Sequence, residues 1–168
     1  MKQYQQSIII ALMVLVLAAF MGKRYIKGWF PPPMKFMETS LTNIDSNQLF
    51  SIANFKGKVV IVSCYQTWCI DCARETPVLS QLISQINSDQ FKVIYVSDEE
   101  AIKQVTFRQR FEANSILFAV SPKPLASLGI KSYPTTYLLN KKGEVIKTAF
   151  EGYDWLKEEA AIKKMLAE

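Results

Sequence analysis

The segment 58–86 joins two hydrophobic patterns that restrict the fold more than any other feature of the chain. KVVIVSCY (58–65) is β-branched or apolar at most positions, as expected for a strand buried on both faces of a sheet. The apolar residues that follow change to helical spacing and form one stripe: Val78, Leu79, Leu82, Ile83 and Ile86. The motif TWCIDC lies between the two patterns, so Cys69 and Cys72 are predicted where a central strand ends and a helix begins.

The composition limits the chemistry of these two thiols. The chain has three cysteines and no histidine, which excludes a Cys-His nucleophile and leaves a structural zinc site short of its usual four ligands. A haem-attachment motif needs a histidine directly after the second cysteine, and Ala73 occupies that position. We therefore expect no metal and no other cofactor, and a redox dithiol is the chemistry that remains.

The predicted helix start gives each thiol a different role. Free N–H groups and the helix dipole at a first turn favour an anion, and therefore the thiolate of Cys69. Cys72 lies in the same turn and can attack a mixed disulfide that Cys69 forms with a substrate, which is thiol–disulfide exchange. Cys69 is predicted to be the exposed, attacking thiol and Cys72 the more buried, resolving one. An inert structural bridge is the alternative, although so short a loop removes little chain entropy.

The residues around the two thiols are expected to tune them. Ile70 and Asp71 separate the cysteines. A carboxylate beside a thiolate destabilises the charged, reduced form, so Asp71 predicts a reducing couple rather than a strong oxidant. Cys64 belongs to the buried strand and is predicted to be an apolar core residue without a redox role.

The remaining patterns predict a mixed α/β domain. FKVIYVS (91–97) indicates a second buried strand, and Ser97 with Glu100 forms a capping box for a helix that turns Ile102, Val105 and Phe111 inward. Further predicted elements are a strand in SILFAVS (115–121), a hairpin in PTTYLLNKKGEVIKTAF (134–150), a final helix capped by Asp154 with Trp155 inward, and an added N-terminal hairpin in SLTNIDSNQLFSIANFKGK (40–58). Strands alternating with helices predict a central mixed sheet flanked by helices.

The motifs taken together resemble the thioredoxin superfamily, and more closely its TlpA/ResA-like branch of membrane-anchored thiol-disulfide oxidoreductases. The resemblance rests on NFKGKVVIV before the cysteines, on TWCxxCxxExP, and on YPTTYLLNKKGEV downstream, and it extends from about Ser40 to the end. It implies a thioredoxin-like fold and an enzyme that reduces disulfides of extracytoplasmic proteins. Apocytochrome c maturation is one possible pathway, and an upstream membrane protein would donate the electrons.

The resemblance also implies roles for residues near the dithiol. Pro134 matches the cis-proline that faces the two sulfurs, and with Tyr133 and Thr135 it would form the substrate-binding loop. The alternative is an ordinary trans proline that begins an edge strand. Trp68 would shield the rim of the active site and contact the substrate. Glu75 matches an acidic residue that would relay a proton to the resolving thiol; a solvated helix glutamate is the alternative.

The sequence departs from the family at two positions near the dithiol. Asp71 stands where relatives commonly have proline, and Ser63 stands where thioredoxins proper carry a buried acid. The segment SCYQ (63–66) also replaces the more usual aromatic-rich approach to the cysteines. Asp71 and SCYQ leave open a second class of function, a redox-inactive thioredoxin-fold binding module tethered to the membrane. A peroxiredoxin would need Pro-x-x-x-Thr/Ser-x-x-Cys before its nucleophile, and no proline precedes Cys69 at that spacing.

The N-terminal segment is predicted to tether the domain. SIIIALMVLVLAAFMG (7–22) is apolar but shorter than the ~20 residues that usually span a bilayer as a helix. We expect residues 1–30 to be a cytoplasmic tip and a membrane-anchor helix, or alternatively a signal peptide. Residues 31–37 would be a Pro-rich spacer and residues 38–168 the thioredoxin-like domain.

The distribution of charge bears on the partners and on orientation. Five basic residues precede the first acidic residue, Glu38, and the rest of the chain carries 15 basic and 15 acidic residues, so a nucleic-acid partner is not expected. Lys23, Arg24 and Lys27 follow the apolar run, and alone they would keep the domain in the cytoplasm. The resemblance implies the opposite, and we expect a domain that faces the periplasm or the cell exterior, with the lipid bilayer contacted by the N-terminal helix.

Overall fold

The computed structural model describes residues 36–168, together with Met13 and Met34. The expected anchor and Pro31–Pro33 lie outside the described residues, apart from Met13. Within the described residues, no helix is long and apolar enough to cross a bilayer. From Met34 onward the described residues belong to one compact unit, Pro33–Glu168.

Seven strands and three α-helices form the described part of the chain. The strands are β1 (Leu41–Asn43), β2 (Leu49–Phe50), β3 (Val59–Cys64), β4 (Phe91–Ser97), β5 (Leu117–Val120), β6 (Thr135–Leu139) and β7 (Val145–Ala149). The α-helices are α1 (Ile70–Ile86), α2 (Ala101–Arg110) and α3 (Glu159–Ala167). Three short 3-10 helices span Ile52–Phe55, Leu125–Leu128 and Trp155–Glu158.

The strands form one mixed sheet in the order β2-β1-β5-β4-β3-β6-β7. Strands β3, β4 and β5 are parallel, whereas β6 pairs antiparallel with β3, and β7 with β6. The predicted N-terminal hairpin is present as β1 and β2, which extend the sheet beside β5. The predicted thioredoxin-like α/β fold is therefore confirmed, and β3 is an interior strand whose six residues are all buried.

Alternate residues of β3 contribute to two cores, as the pleat of a strand requires. Ile61 packs in the core that the three α-helices cover, with Leu79 and Leu82 of α1. Val60 and Val62 pack in the opposite core, which the first two 3-10 helices cover. Burial of each such side chain contributes roughly 1.5–3 kcal/mol to stability, so β3 fixes the position of the residues that follow it.

The predicted cap of α2 is wrong. The helix begins at Ala101 after Glu100, which makes no side-chain capping bond. The hydroxyl of Ser97 instead accepts the backbone N–H of Glu99 at 3.1 Å and donates to the side chain of Gln66 at 3.4 Å. Ser97 therefore stabilises the turn that follows β4, because its hydroxyl is bonded to the N–H of Glu99 in that turn and not to the start of the helix.

The predicted inner face of α2 is wrong at Ile102, whereas Val105 is half-buried and Phe111 packs against the helix-covered core. Ile102 is 66% exposed, and the buried residues of the helix are Gln104 and Phe107. Gln104 is accommodated because its side chain accepts from the hydroxyl of Tyr65 at 3.1 Å and donates to the carbonyl of Glu99 at 3.0 Å. Hydrogen bonding therefore places a polar residue inside and leaves an apolar one in solvent.

Candidate active site

The two active-site cysteines lie at the predicted junction between strand and helix. Cys69 is the N-cap of α1, and its Sγ accepts the backbone N–H of Cys72 at 3.1 Å. The two residues form a disulfide, with 5.3 Å between their Cα atoms. The sulfur of Cys69 therefore lies at the positive end of a 17-residue helix, which favours a thiolate once the disulfide is reduced.

The two sulfurs differ in exposure in the predicted order. Cys69 is 7% exposed and Cys72 is completely buried. Cys69 is thus less exposed than predicted, because its Sγ is bonded to Cys72 and the residue packs at the edge of the helix-covered core. An incoming sulfur atom can reach Cys69 but not Cys72.

The third cysteine is a core residue. Cys64 is completely buried in the opposite core, where it packs with residues such as Val62 and Val96. Burial raises the pKa of its thiol strongly, and the charges of Asp98 and Glu75 raise it further. A neutral, inaccessible thiol is a poor nucleophile, which agrees with the predicted apolar role.

A buried carboxyl group lies behind the dithiol. Glu75 is 7% exposed, so the solvated alternative is wrong. Its carboxylate accepts three side-chain donors: Ser63 at 2.9 Å, Thr136 at 3.0 Å and the indole N–H of Trp155 at 2.7 Å. Helix α1 thus supplies the buried acid, and Ser63 of β3, at the position where thioredoxins proper carry theirs, is one of its donors.

The environment of Glu75 suits proton transfer. Burial raises the pKa of its carboxyl group, and the hydrogen bonds from Ser63, Trp155 and Thr136 offset part of that rise. A cleft of about 260 Å³ lies beside it, lined by Asp71, Arg74, Glu75, Val78 and residues Gly152, Tyr153 and Asp154. The carboxyl group can therefore hold a proton close to the buried thiol and exchange it with solvent through this cleft.

The charge of Asp71 is paired at the surface. Oδ1 of Asp71 accepts from Nη1 of Arg74 at 2.9 Å, and Arg74 is well exposed. Arg74 was not among the predicted site residues, although its i,i+3 spacing from Asp71 indicates such a pair. Asp71 therefore destabilises a thiolate at Cys69 less than an unpaired carboxylate at the same position would.

An apolar rim surrounds Cys69. Trp68 is 70% exposed and its ring meets that of Tyr133 edge to face, with 5.9 Å between centroids. Ile70 is exposed as well, on the other side of the cysteine. The Tyr133–Pro134 peptide bond is cis, as the resemblance implies, so the alternative of a trans proline is wrong.

The residues after the cis-proline are less accessible than those before it. Thr135 is completely buried, and its hydroxyl donates to the carbonyl of Ser132 at 2.8 Å. Thr135 therefore shapes the loop from within. Tyr133, directly before the cis-proline, is partly exposed.

Two acidic residues that the sequence analysis did not select hold the segment before Cys69. Oδ1 of Asp98 accepts from the side chain of Gln66 at 2.6 Å, while its Oδ2 accepts the N–H of Leu125 at 2.8 Å. Glu99 accepts both the backbone N–H of Thr67 at 2.5 Å and its hydroxyl at 3.0 Å. Because β3 and β4 are parallel, the residues that follow the two strands meet at one edge of the sheet. Two predicted parallel strands therefore would have placed Asp98 and Glu99 near the segment before Cys69.

Comparison with known proteins agrees with this geometry. The AhpC/TSA family matches residues 34–148, and the chain belongs to that family. The thioredoxin-like protein YneN of Bacillus subtilis is 30% identical over 104 residues, which cover 60% of this chain and 61% of that protein. The thiol-disulfide oxidoreductase ResA of Geobacillus kaustophilus is 25% identical, and the match covers 86% of this chain and 87% of that protein.

Solved structures share the fold. The thioredoxin domain of a thiol-disulfide oxidoreductase from Bacteroides vulgatus superposes with a TM-score of 0.64 at 20% identity, covering 76% of this chain and 91% of that one. The fold, the Cys69–Cys72 pair and the similarity to these relatives together identify the protein as a thioredoxin-like thiol-disulfide oxidoreductase.

Proposed function

We propose that the protein reduces disulfides of extracytoplasmic proteins with the dithiol of Cys69 and Cys72. The observation that carries this proposal is the position of the pair: Cys69 caps a helix next to exposed apolar residues, and Cys72 is completely buried three residues before the buried Glu75. No further cofactor is proposed, because the two thiols themselves hold both electrons.

The first step joins the enzyme to its substrate. The Cys69 thiolate attacks one sulfur of the substrate disulfide, the substrate S–S bond breaks, and the departing substrate thiolate takes a proton. A bond between Cys69 and the substrate is left. The N–H of Cys72, which now contacts Sγ of Cys69, and the helix dipole stabilise the attacking thiolate beforehand.

The second step releases the substrate. Cys72 loses its proton and attacks Sγ of Cys69, the mixed disulfide breaks, and the second substrate sulfur leaves as a thiolate that takes a proton. Two electrons have then moved from the dithiol to the substrate, and Cys69–Cys72 is oxidised. We assign the proton of Cys72 to Glu75, since Glu75 lies three residues after Cys72 on helix α1, is largely buried and lines the cleft that leads to solvent.

The rim around Cys69 supports a polypeptide substrate. Trp68 and Ile70, which flank Cys69 in the sequence, expose apolar surface, and Tyr133, whose ring contacts that of Trp68, offers backbone groups to an extended chain. Such a chain can add to the loop as a short strand, which uses hydrogen bonds common to all sequences. Apocytochrome c is one candidate substrate, and a dithiol protein of the membrane is the class of donor that must reduce Cys69–Cys72 again.

Reduction of insulin by dithiothreitol tests the activity. Wild type should accelerate it, Cys69→Ala should not, and Cys64→Ala should match wild type as the control. A folded wild-type protein without activity would support the tethered binding module instead. Cys72→Ala should accumulate a mixed disulfide with its substrate in cells, and mass spectrometry of that adduct identifies the partner.

The membrane location is part of the proposal. The apolar run at 7–22 supports an anchor, and the resemblance supports a domain outside the cytoplasm. Alkaline phosphatase fused after Glu168 should be active, because that enzyme folds only in an oxidising compartment. A silent fusion together with an active cytoplasmic reporter would reverse the orientation.

A further inference from the structure

Glu99 places a carboxylate near the backbone of the attacking cysteine from outside helix α1. Its Oε2 binds the N–H of Thr67, and the N–H of Cys69 donates to the carbonyl of Gln66 at 3.1 Å, one peptide unit away. This path places the carboxylate within roughly 8 Å of the Cys69 amide nitrogen.

The charge of Glu99 is compensated less than that of Asp71. Asp71 has a 2.9 Å pair with Arg74 on an open surface, where water also screens it. The side chain of Glu99 is only 12% exposed, and the nearest cation is the well-exposed Nζ of Lys103, 4.0 Å away. A carboxylate with little solvent and a distant counterion acts more strongly on its surroundings.

We propose that Glu99 is a positioning residue that holds Thr67 before Cys69, and that its charge, more than that of Asp71, disfavours the Cys69 thiolate and keeps the couple reducing. The inference rests on the proposed function, since it explains the reactivity of the same dithiol. The tuning of the Cys69 thiolate, which the sequence predicted for Asp71 between the cysteines, is thereby assigned mainly to Glu99 in the turn after β4.

The charged groups near the dithiol come from three elements. Helix α1 supplies Asp71, Arg74 and Glu75, the turn after β4 supplies Asp98 and Glu99, and helix α2 supplies Lys103. Tyr133 shows that the turn after β4 acts on this region: burial raises the pKa of its hydroxyl, and Asp98, Cys64 and Glu99 raise it further. Asp98 binds the side chain of Gln66 and the N–H of Leu125, whereas Glu99 binds the N–H of Thr67, so Glu99 is the carboxylate bound directly to the backbone before Cys69.

The test is the pH dependence of alkylation of Cys69 by iodoacetamide in the reduced, full-length protein without substrate. Glu99→Gln removes the charge, while its amide can still accept from the N–H of Thr67 and donate to the Thr67 hydroxyl. We expect the midpoint of alkylation to fall and the rate at neutral pH to rise about threefold or more. Asp71→Asn should shift the midpoint less.

Two further variants separate charge from structure. Lys103→Gln removes the counterion of Glu99 and should shift the midpoint in the opposite direction. An unchanged midpoint in this variant would count against the inference even if Glu99→Gln does not fold. Glu159→Gln is the matched control: Glu159 also pairs with a lysine four residues on, Lys163 at 2.6 Å, but on helix α3. It should leave the midpoint unchanged.

Two results would overturn the inference. The first is a Glu99→Gln protein that is less stable to urea but has the wild-type alkylation midpoint, because Glu99 would then only support the loop. The second is a larger shift in Asp71→Asn than in Glu99→Gln. Neither result depends on insulin reduction, so failure of this inference is distinct from failure of the proposed activity.

Discussion

The indole N–H of Trp155 donates to Oε1 of Glu75 at 2.7 Å and joins residues that are 80 positions apart. Trp155 is completely buried, and its ring packs against that of Tyr153 at a centroid distance of 4.9 Å. Tyr153 in turn hydrogen-bonds to Glu158. The segment after β7 lies far from the cysteines in sequence, but it holds Glu75, the acid that we assign to proton transfer.

Trp155→Phe should reveal the strength of this bond. Phenylalanine fills most of the same space but leaves Glu75 without one donor, which should lower the free energy of unfolding by about 1–3 kcal/mol. The loss should be larger at alkaline than at mildly acidic pH, because the indole bond is stronger to an ionised carboxylate. Urea denaturation of the oxidised protein at the two pH values measures it.

Trp68→Phe is the control for that experiment. Trp68 is mostly exposed and makes no contact with Glu75 among the contacts described, so its unfolding should match wild type at both pH values. Equal destabilisation of Trp155→Phe at the two pH values would show that lost packing, rather than the bond to Glu75, is responsible.

Glu75 should also give the folded protein a characteristic pH dependence. Because burial raises the folded-state pKa of this carboxyl group above its ordinary value of 4.5, the native state binds a proton more tightly than the unfolded state. Stability from this group is therefore lost as pH rises from 4.5 through the folded-state pKa. Glu75→Gln cannot ionise, so its stability relative to wild type should increase with pH.

The same variant should be a poorer enzyme. If Glu75 moves the proton of Cys72, Glu75→Gln should slow the resolving step by about 10²-fold, while alkylation of Cys69 changes little. The lifetime of the mixed disulfide in a stopped-flow assay measures this step directly. A more stable protein with wild-type resolution would remove Glu75 from the mechanism and leave it as a buried residue without a catalytic role.

The sequence predicted the centre of the fold because the necessary information is local there. A change from continuous apolar residues to helical spacing between residues 58 and 86 located Cys69 at a helix start, and the structure confirms it. The cis bond before Pro134 followed from the resemblance, since nothing in the local pattern distinguishes cis from trans.

The partners of Glu75 could not be predicted in the same way. Ser63, Thr136 and Trp155 lie 12, 61 and 80 positions from it, and only the pairing of β3 with β6 and the return of the chain bring them together. The prediction that Ile102 lies on the buried face of helix α2 was wrong for a related reason. Apolar periodicity favoured Ile102 as an inner residue, but the tertiary hydrogen bonds of Gln104 decide which face is buried.

Cys64 should be the slowest of the three thiols to react. Its burial and raised pKa leave little thiolate, so native alkylation of the reduced protein should label Cys69 first and Cys64 only on unfolding. Cys64→Ala should cost about 1 kcal/mol of stability, as expected for loss of a small buried group, and should keep full insulin reduction. Early labelling of Cys64, or an inactive but folded Cys64→Ala protein, would contradict its role as a core residue.

Trp68 should distinguish protein substrates from small ones. The ring is exposed beside Cys69 and braced edge to face by Tyr133, so it offers apolar area to a polypeptide without supporting the fold. Exposed tryptophans at binding surfaces commonly contribute 1–2 kcal/mol or more, so Trp68→Ala should raise KM for a protein disulfide about tenfold with little change in kcat. Reduction of a small disulfide such as oxidised glutathione should keep its wild-type rate, because that polar substrate has little apolar surface to place against the ring. If both substrates slow equally, Trp68 acts on the reactivity of Cys69 and does not bind the substrate.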